Sequence, residues 1–547
     1  MRSVPRAALV VSIYVVATVV MTLPYVNWHA LASAVYPGDA RLMVWTLAWD
    51  DHAWLHHLPV LRANIYFPDP AALTYTDPLF GIALFTLPIY AATGNPVLAY
   101  NVIFLAAFVL NGLAMHTLAY RATRSHAAAL VGGLIYAFSF YMMLHAHGHL
   151  SLIWAWLLPL SIVLLDRWIA RPTLPRALVF GSAVVVQILS SWYLAIMILV
   201  ALAIVAACRI AADARGAWAR RAWQAAVVAA IAAAVVVPLA APYRHSLPTP
   251  AVAEVRGFSA DWASYFVPPQ NTLVGQWWLH HVDQRPRWIW GELTMFLGWL
   301  ATGLAIGGAG VAAIRRQWRV LVPFGLLIAA GLALSFGPAT GRHAATAFDL
   351  LSRLPGVSAF RVPARFGLLV LLGVSMLAAS AVAELHRRLG TRVYGVLAVL
   401  VPMMLGEWFV VQFPNGKPQP VVVPAIYRHP ALQQARAVVS LPDYFNADQW
   451  FDGADYLLFS TVHWRPIANG YGRGAPADYR HEASHLRAFP GPNNARSLRE
   501  LGIDLIVLHG ARYGPETANV VKEAVASGEY AMVAQDGQDY LLEPVEH

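Results

Sequence analysis

Ten apolar segments punctuate the first 411 residues, near 7–26, 97–119, 126–144, 151–169, 177–208, 222–241, 290–312, 320–337, 364–385 and 391–411. Most approach or exceed the roughly 20 residues that a helix needs to cross a hydrocarbon core. The 177–208 segment is too long for one crossing and holds Ser190-Ser191-Trp192-Tyr193 near its middle. A break there gives two short spans, and eleven spans in all.

The charges in the loops fix a phase for that count. With the N-terminus inside, the cytoplasmic loops carry Arg2 and Arg6; Arg121 and Arg124; Arg167, Arg171 and Arg176; Arg209, Arg215, Arg220 and Arg221; Arg315, Arg316 and Arg319; and Arg387, Arg388 and Arg392. All six are basic, as the positive-inside rule requires. The apolar piece 78–92 would invert everything after it if it crossed. Its length of about 15 residues suits a helix lying on the outer leaflet. Arg2, Arg6 and the run 7–26 imitate a signal peptide, but the run is longer than a signal core of about 7–15 residues, which predicts a retained span.

Three outer loops follow from this phase, at 27–78, 242–289 and 338–363. The transmembrane region ends near 412. From 413 to 547 the pattern is that of a soluble extracytoplasmic domain: ARAVVSLP, DLIVLH and YLLEP predict strands, and Thr517–Ser527 a helix. The expected fold is mainly α, a polytopic membrane protein of about eleven spans with a small α/β or α+β C-terminal domain.

Composition narrows the class. Hydrophobic residues make up 58% and charged residues only 12%, about half the share of a soluble protein. The net charge of +9 would suggest nucleic acid in a soluble chain. Here the arginines lie mostly in short loops, so no nucleic-acid partner is expected. Lysine occurs only at Lys417 and Lys522, and Cys208 is the single cysteine, which excludes an intrachain disulfide.

Candidate chemistry concentrates at the outer ends of the spans, and the span centres hold few ionisable groups. Asp39 follows the turn signal Pro37-Gly38 and opens ARLMVWTLAWDDHAWL, whose spacing suits an amphipathic helix on the membrane surface. It is the candidate catalytic acid, and a helix N-cap is the plain alternative. Asp50 and Asp51 read as solvated or capping residues. In HAHGHLSLIWAW the spacing of two between His145, His147 and His149 differs from a helical metal site, so no metal site is assigned. His147 and His149 are expected to bind phosphate or sugar hydroxyls, with ordinary interfacial histidines as the alternative. Arg361 and Arg365 oppose the charge bias, and a phosphate explains them because guanidinium matches it bidentately; lipid anchoring is the alternative. Glu292 in IWGELTMFLG pairs with one of these arginines or acts as a second acid. In STVHWRPIANGYGRGAPADY, Trp464 and Arg465 offer stacking and hydrogen bonding to a sugar.

PGDARLMVWTLAW after the first span, NVIFLAAFVLNGLAMHTLAYRATRS, HAHGHLSLIWAWLLPLSIVLLDRW and LPGVSAFRVPARFGLL together resemble the multi-span glycosyltransferases of the GT-C type. The likeness extends to bacterial relatives of the dolichyl-phosphate-mannose transferases and YfhO-like membrane proteins. It implies a polyprenyl-phosphate sugar donor and a glycan, lipid or protein acceptor, used among membrane lipids at the outer face of a bacterial inner membrane. It also implies Asp39 as the base, inversion at the anomeric carbon, and Arg361 and Arg365 neutralising the leaving phosphate. Relatives often carry two adjacent acids where this chain has Asp39-Ala40. Some use a divalent cation such as magnesium or manganese and others none, so no cofactor is fixed. A flippase for a lipid-linked intermediate and a non-catalytic envelope assembly protein are the alternative functions.

Overall fold

The computed structural model describes residues 4–212, 218–246, 248–282, 292–339, 345–354, 356–412, 416–443, 452–472, 474–476, 479, 489–491 and 494–545. The chain forms two compact units. The first comprises residues 1–26, 102–240 and 249–417; the second comprises 27–101, 241–248 and 418–547.

The first unit is helical. It contains α1 (Val4–Thr22), most of α4 (Pro96–Thr123), α5 (His126–Phe138), α6 (Phe140–His145), α7 (Leu150–Ile153), α8 (Leu157–Ala170), α9 (Leu174–Ile188), α10 (Trp192–Ala211) and α11 (Trp218–Ala240). Helices Trp299–Ile314, Trp318–Ser335, Gly367–Leu389 and Val393–Trp408 complete it. Among the described residues, seven helices are long and apolar enough to cross a membrane. The longest, Pro363–Trp408, covers two predicted segments and turns at Gly390, whose φ is 57°. Arg6–Thr22, Leu174–Ile188 and Trp299–Ile314 are apolar but shorter. Ser190 and Ser191 do interrupt the 177–208 segment, between α9 and α10. Helix Gly367–Leu389 is the centre of this unit, buried along most of its length, with α5 and the two preceding long helices against it. Gly308 and Gly373 permit that approach: a Cβ on Gly308 would lie within 1.8 Å of the Leu377 carbonyl.

The second unit joins the first outer loop to the C-terminal region. It holds α2 (Asp39–Leu55), α3 (Phe80–Thr93) and a mixed four-stranded sheet. In that sheet β3 (Val438–Leu441) runs parallel to β4 (Leu505–His509), which pairs antiparallel with β6 (Asp539–Pro544); β6 pairs antiparallel with β5 (Tyr530–Asp536). The predicted strands and the helix Thr517–Ala526 all form. Their core includes Val439, Leu441, Leu498, Ile506, Leu508, Val521 and Leu542. A two-residue ladder of β1 (Ala34–Val35) with β2 (Gln419–Pro420) ties the first loop to the start of the C-terminal region.

The structure corrects the expectation for α2. Thirteen of its 17 residues are buried, so it is a core helix of this unit and not one resting on a surface. It lies against α3 and the helix Gly453–Ser460. Asp50 and Asp51 are fully buried as well, which overturns their expected solvation. By contrast α3 keeps one buried face, Phe80 to Ala83 with Thr86, and an exposed one at Leu84, Pro88, Ala91 and Ala92.

Candidate functional site

In the second unit the N-terminus of α2 carries the nominated acid. Gly38 has φ 72° and ψ −125°, backbone that suits glycine, and it is the N-cap. Asp39 is the first helical residue, so the N-cap position itself belongs to Gly38. The capping alternative for Asp39 therefore fails. A carboxylate in that first turn meets the positive end of the helix dipole. Tyr471 donates its hydroxyl to Asp39 Oδ1 at 2.6 Å.

Tyr471 reaches Asp39 because the stretch before it stitches the first loop to the sheet. Ala468 N–H donates to Val438 O at 2.8 Å, Ile467 N–H to Asn64 O at 2.8 Å, and Tyr66 N–H to Asn469 O at 3.1 Å. Asn469 grips β3 through both amide atoms, accepting from Ser440 N–H at 2.6 Å and donating to Ser440 O at 2.9 Å. Gly470 packs on the Tyr66 ring, where a Cβ would lie within 1.9 Å of it. One turn into α2, Arg41 pairs with Asp455, which also pairs with Arg512, and Arg512 lies over Tyr456 at 5.2 Å. This triad, with Arg41 and Asp455 buried and Arg512 partly so, fixes α2 to the helix Gly453–Ser460.

The other residues expected in this region are placed differently. Trp464 stacks on His52 of α2 with centroids 4.1 Å apart and planes 12° from parallel. Arg465 is exposed and donates to the Gln433 carbonyl. Among the described residues of this stretch, Tyr471 rather than Trp464 or Arg465 donates to Asp39. Asp50 and Asp51 stand further along α2. Burial pushes Asp51 up to about 7, opposed by a hydrogen bond with Thr86, and burial with the neighbouring Asp51 raises Asp50. Neither Asp50 oxygen has a hydrogen-bond partner among the described residues.

In the first unit a second cluster forms around Arg365. Its backbone is set by the one-turn helix Pro363–Phe366, and Gly367 comes so close to Met295 that a Cβ would lie 2.7 Å from the sulfur. Met295 itself is held by its N–H donating to Ser264 O at 2.9 Å. That juxtaposition brings Glu292 to Arg365, which grips it with two hydrogen bonds, Nε to Oε2 at 3.0 Å and Nη2 to Oε1. The guanidinium lies over Tyr193 at 4.3 Å, just after the Ser190-Ser191 break. Burial alone would raise Glu292, but Arg365 first and then His145 hold its carboxyl well below the usual range.

His145, at the end of α6, is 3.9 Å from Glu292 and its Nδ1 is 3.4 Å from His149 Nδ1. Its Nε2, like the hydroxyl of Tyr141 beside it, has no hydrogen-bond partner among the described residues. His147 turns its Nδ1 to the Leu144 carbonyl and meets the His149 ring at 5.7 Å. Arg361 pairs instead with exposed Glu254 at 3.3 Å and covers Phe258. Of the residues expected to bind substrate or phosphate here, the structure gathers His149, Glu292 and Arg365, with His147 alongside.

Residues 8–404 match the family described as a domain of unknown function, DUF6311. The chain belongs to the DUF6311 family. No curated protein is similar to it in sequence. Among solved structures it is similar to the mycobacterial arabinofuranosyltransferase AftD, with 14% identity and a TM-score of 0.61 over 99% of this chain and 40% of that one. It is also similar to ArnT from Cupriavidus metallidurans, with 13% identity and a TM-score of 0.51 over 100% and 99% of the two chains. The oligosaccharyltransferase of Archaeoglobus fulgidus gives 13% identity and a TM-score of 0.51 over 96% and 72%. The DUF6311 chain thus spans well under half the length of AftD, and it has the fold of the GT-C membrane glycosyltransferases.

One group of described residues in this DUF6311 protein has the donors of a metal site. One ligand atom each from His145, His149 and Glu292 lie within 4.8 Å of one another. Two imidazoles and one carboxylate suit zinc; magnesium prefers an all-oxygen shell, and manganese favours carboxylate, carbonyl and water oxygens. Both Glu292 oxygens are also engaged by Arg365. The cluster therefore does not fit magnesium or manganese. Three residues of consequence escaped the site expected from sequence: His145, Tyr193 and Tyr471. His145 and Tyr193 lay in stretches already conspicuous as a histidine cluster and a helix break, whereas nothing near Tyr471 pointed to Asp39.

Proposed function

We propose that this protein is a membrane glycosyltransferase that moves a sugar from a polyprenyl-phosphate donor to an acceptor hydroxyl, inverting the anomeric centre, at the outer face of a bacterial inner membrane. The placement of Asp39 carries the proposal: a carboxylate in the first turn of α2, behind a glycine cap and held by Tyr471, in a chain with the GT-C fold. Asp39 takes the proton of the acceptor hydroxyl as its oxygen bonds the anomeric carbon. The bond from that carbon to the phosphate oxygen breaks, and the lipid phosphate leaves with the electron pair. General-base assistance of this kind supplies about 10²–10⁴ in rate. Tyr471 aims the carboxylate by holding one oxygen.

Arg365 is assigned to the departing phosphate. Glu292 occupies its Nε and Nη2, which orients the fork, and Tyr193 supports its face. Fixed donors of this kind stabilise developing charge without reorganising. His147 and His149 are assigned to sugar or phosphate oxygens. The N-terminus is placed in the cytoplasm and the C-terminal domain outside, on the strength of the arginine-rich loops.

The test is mass spectrometry of lipid extracts and surface glycans from cells with the gene deleted, restored, or restored as Asp39→Asn. A polyprenyl-phosphate sugar that accumulates in both the deletion and the mutant, with a matching loss from a glycan, is the expected result. Full rescue by Asp39→Asn would remove Asp39 from the chemistry.

A further inference from the structure

A cavity of about 290 Å³ opens in the first unit at the far end of the helix Gly367–Leu389 from Arg365. Arg365 and Arg387 are 22 positions apart, which along an α-helix is about 33 Å. The cavity is thus a separate site from the cluster around Glu292. Its walls are helix ends: Thr123 closes α4, Ser125 caps α5, Gln317 precedes Trp318–Ser335, and Glu384 and Arg387 lie in the last turns of Gly367–Leu389.

The charge there is strongly positive. Arg124 and Arg387 line the cavity, and buried Glu384 is gripped by Arg315 at 3.2 Å, by Arg388 at 2.6 Å and by Arg387. Four guanidinium groups therefore face one carboxylate, whose role is to hold three of them in place. Arg124 forms no ion pair among the described residues. Ser125 Oγ and His386 Nδ1, 2.7 Å apart, add polar groups to the wall. The N-termini of α5 and of Trp318–Ser335 point positive ends toward the cavity, while the C-termini of α4, Trp299–Ile314 and Gly367–Leu389 point negative ends. The arginines decide the sign.

Two backbone facts single out the arginines further. Arg124 has φ 58° and Arg316 has φ 54°, both at helix-to-helix turns bordering the cavity. Glycine or asparagine fills such positions at less cost. The side chains at these two positions are both cationic.

The level of the cavity suggests its ligand. It lies at the ends of three helices long and apolar enough to span a membrane, Pro96–Thr123, His126–His145 and Trp318–Ser335, and beside the turn of a fourth, Pro363–Trp408. Trp318 and Tyr394, each about half exposed, stand near it, as amphipathic rings do at a membrane interface. Val311 and Val320 give it an apolar wall beside the arginines. Basic pockets between spans commonly hold phosphate head groups. We propose that this cavity binds a phosphate group, that of an anionic phospholipid, at the end of the bundle remote from Arg365.

The experiment uses the full-length protein in nanodiscs of phosphatidylcholine with or without phosphatidylglycerol, read by native mass spectrometry, for the wild type, Arg124→Gln and the double variant Arg124→Gln/Arg387→Gln. Arg124 is exposed, so its variant tests the site even if the double variant fails to fold. Retained phosphatidylglycerol should fall about fivefold for the first variant and roughly 25-fold for the second, at about one guanidinium's worth of attraction each. Equal retention in the wild type and Arg124→Gln, or equal retention of phosphatidylcholine, would overturn the proposal. A parallel arm titrates inorganic phosphate in detergent and follows the melting temperature. Stabilisation lost in Arg124→Gln, without any lipid adduct, would support a phosphate site but overturn the lipid as its source.

Discussion

Asp39 and Glu292 are both acids at the start of a helix or span, yet the structure treats them in opposite ways. Glu292 is clamped by two hydrogen bonds from Arg365, with His145 behind it, and its charge is locked in. Asp39 receives a phenol at 2.6 Å in the first turn of α2 and remains half-buried. An acid held on both oxygens by a bidentate arginine is a poor proton acceptor, whereas Tyr471 engages only Oδ1 of Asp39 in the hydrogen bond described here. On the proposed mechanism Asp39 takes the proton and Glu292 orients Arg365.

The largest effect that separates them is on turnover. Asp39→Asn should cost about 10²–10⁴ in transfer rate, measured with purified protein and lipid-linked donor, while leaving the melting temperature near the wild type. Arg365→Ala should instead fail as a structure: it strands the buried Glu292 charge, at about 3–5 kcal/mol, and should lower the melting temperature and the yield. The double variant Arg365→Ala/Glu292→Gln should recover much of that stability. If Arg365→Ala alone is stable but inactive, Glu292 is not what the arginine supports.

Asp51 provides a pH test within α2. Its carboxyl is raised to about 7 from 3.8, so between those values the folded protein binds a proton that the unfolded chain has released. Stability from this group is therefore present at low pH and lost as pH rises toward 7, by a few kcal/mol at most. Melting temperatures from pH 5 to 8 should decline in the wild type and flatten in Asp51→Asn. A wild-type profile as flat as that of the mutant would mean that Asp51 stays ionised.

Tyr471→Phe should reduce turnover by about tenfold or somewhat more, consistent with losing a hydrogen bond to a charged group worth about 1.5–3 kcal/mol. An unchanged rate would remove Tyr471 from the positioning of Asp39. Arg361→Ala should do least. Its partner Glu254 is as exposed as it is, and such pairs contribute under about 1 kcal/mol. A clear loss of donor use with the melting temperature unchanged would restore Arg361 to the phosphate.

The sequence made some of this visible and concealed the rest for identifiable reasons. The helix break at Ser190-Ser191 and the strands at 438–441, 505–509 and 539–544 were legible, because local residue pattern and turn chemistry determine them. The character of α2 was not. Its Leu and Trp spacings suited a surface helix, but the segments that bury its other faces lie at 80–93 and 453–460, and Arg41 finds Asp455 across 414 positions. The buried Asp50 and Asp51 were misjudged for the same reason, since burial is a property of what arrives from elsewhere.

By itself the sequence determined that most of the chain forms apolar helices and that the last part of it carries strands, because the lengths and spacing of apolar runs answer to water and hydrocarbon whatever the tertiary arrangement. It also marked Asp39, Glu292 and Arg365 as residues out of keeping with their neighbours. Only the tertiary structure decided which groups these residues meet. It gave Glu292 to Arg365 across 73 positions and Tyr471 to Asp39 across 432. Hydrogen bonds and ion pairs act over a few ångströms in space, and separation along the chain does not reveal which groups will come that close.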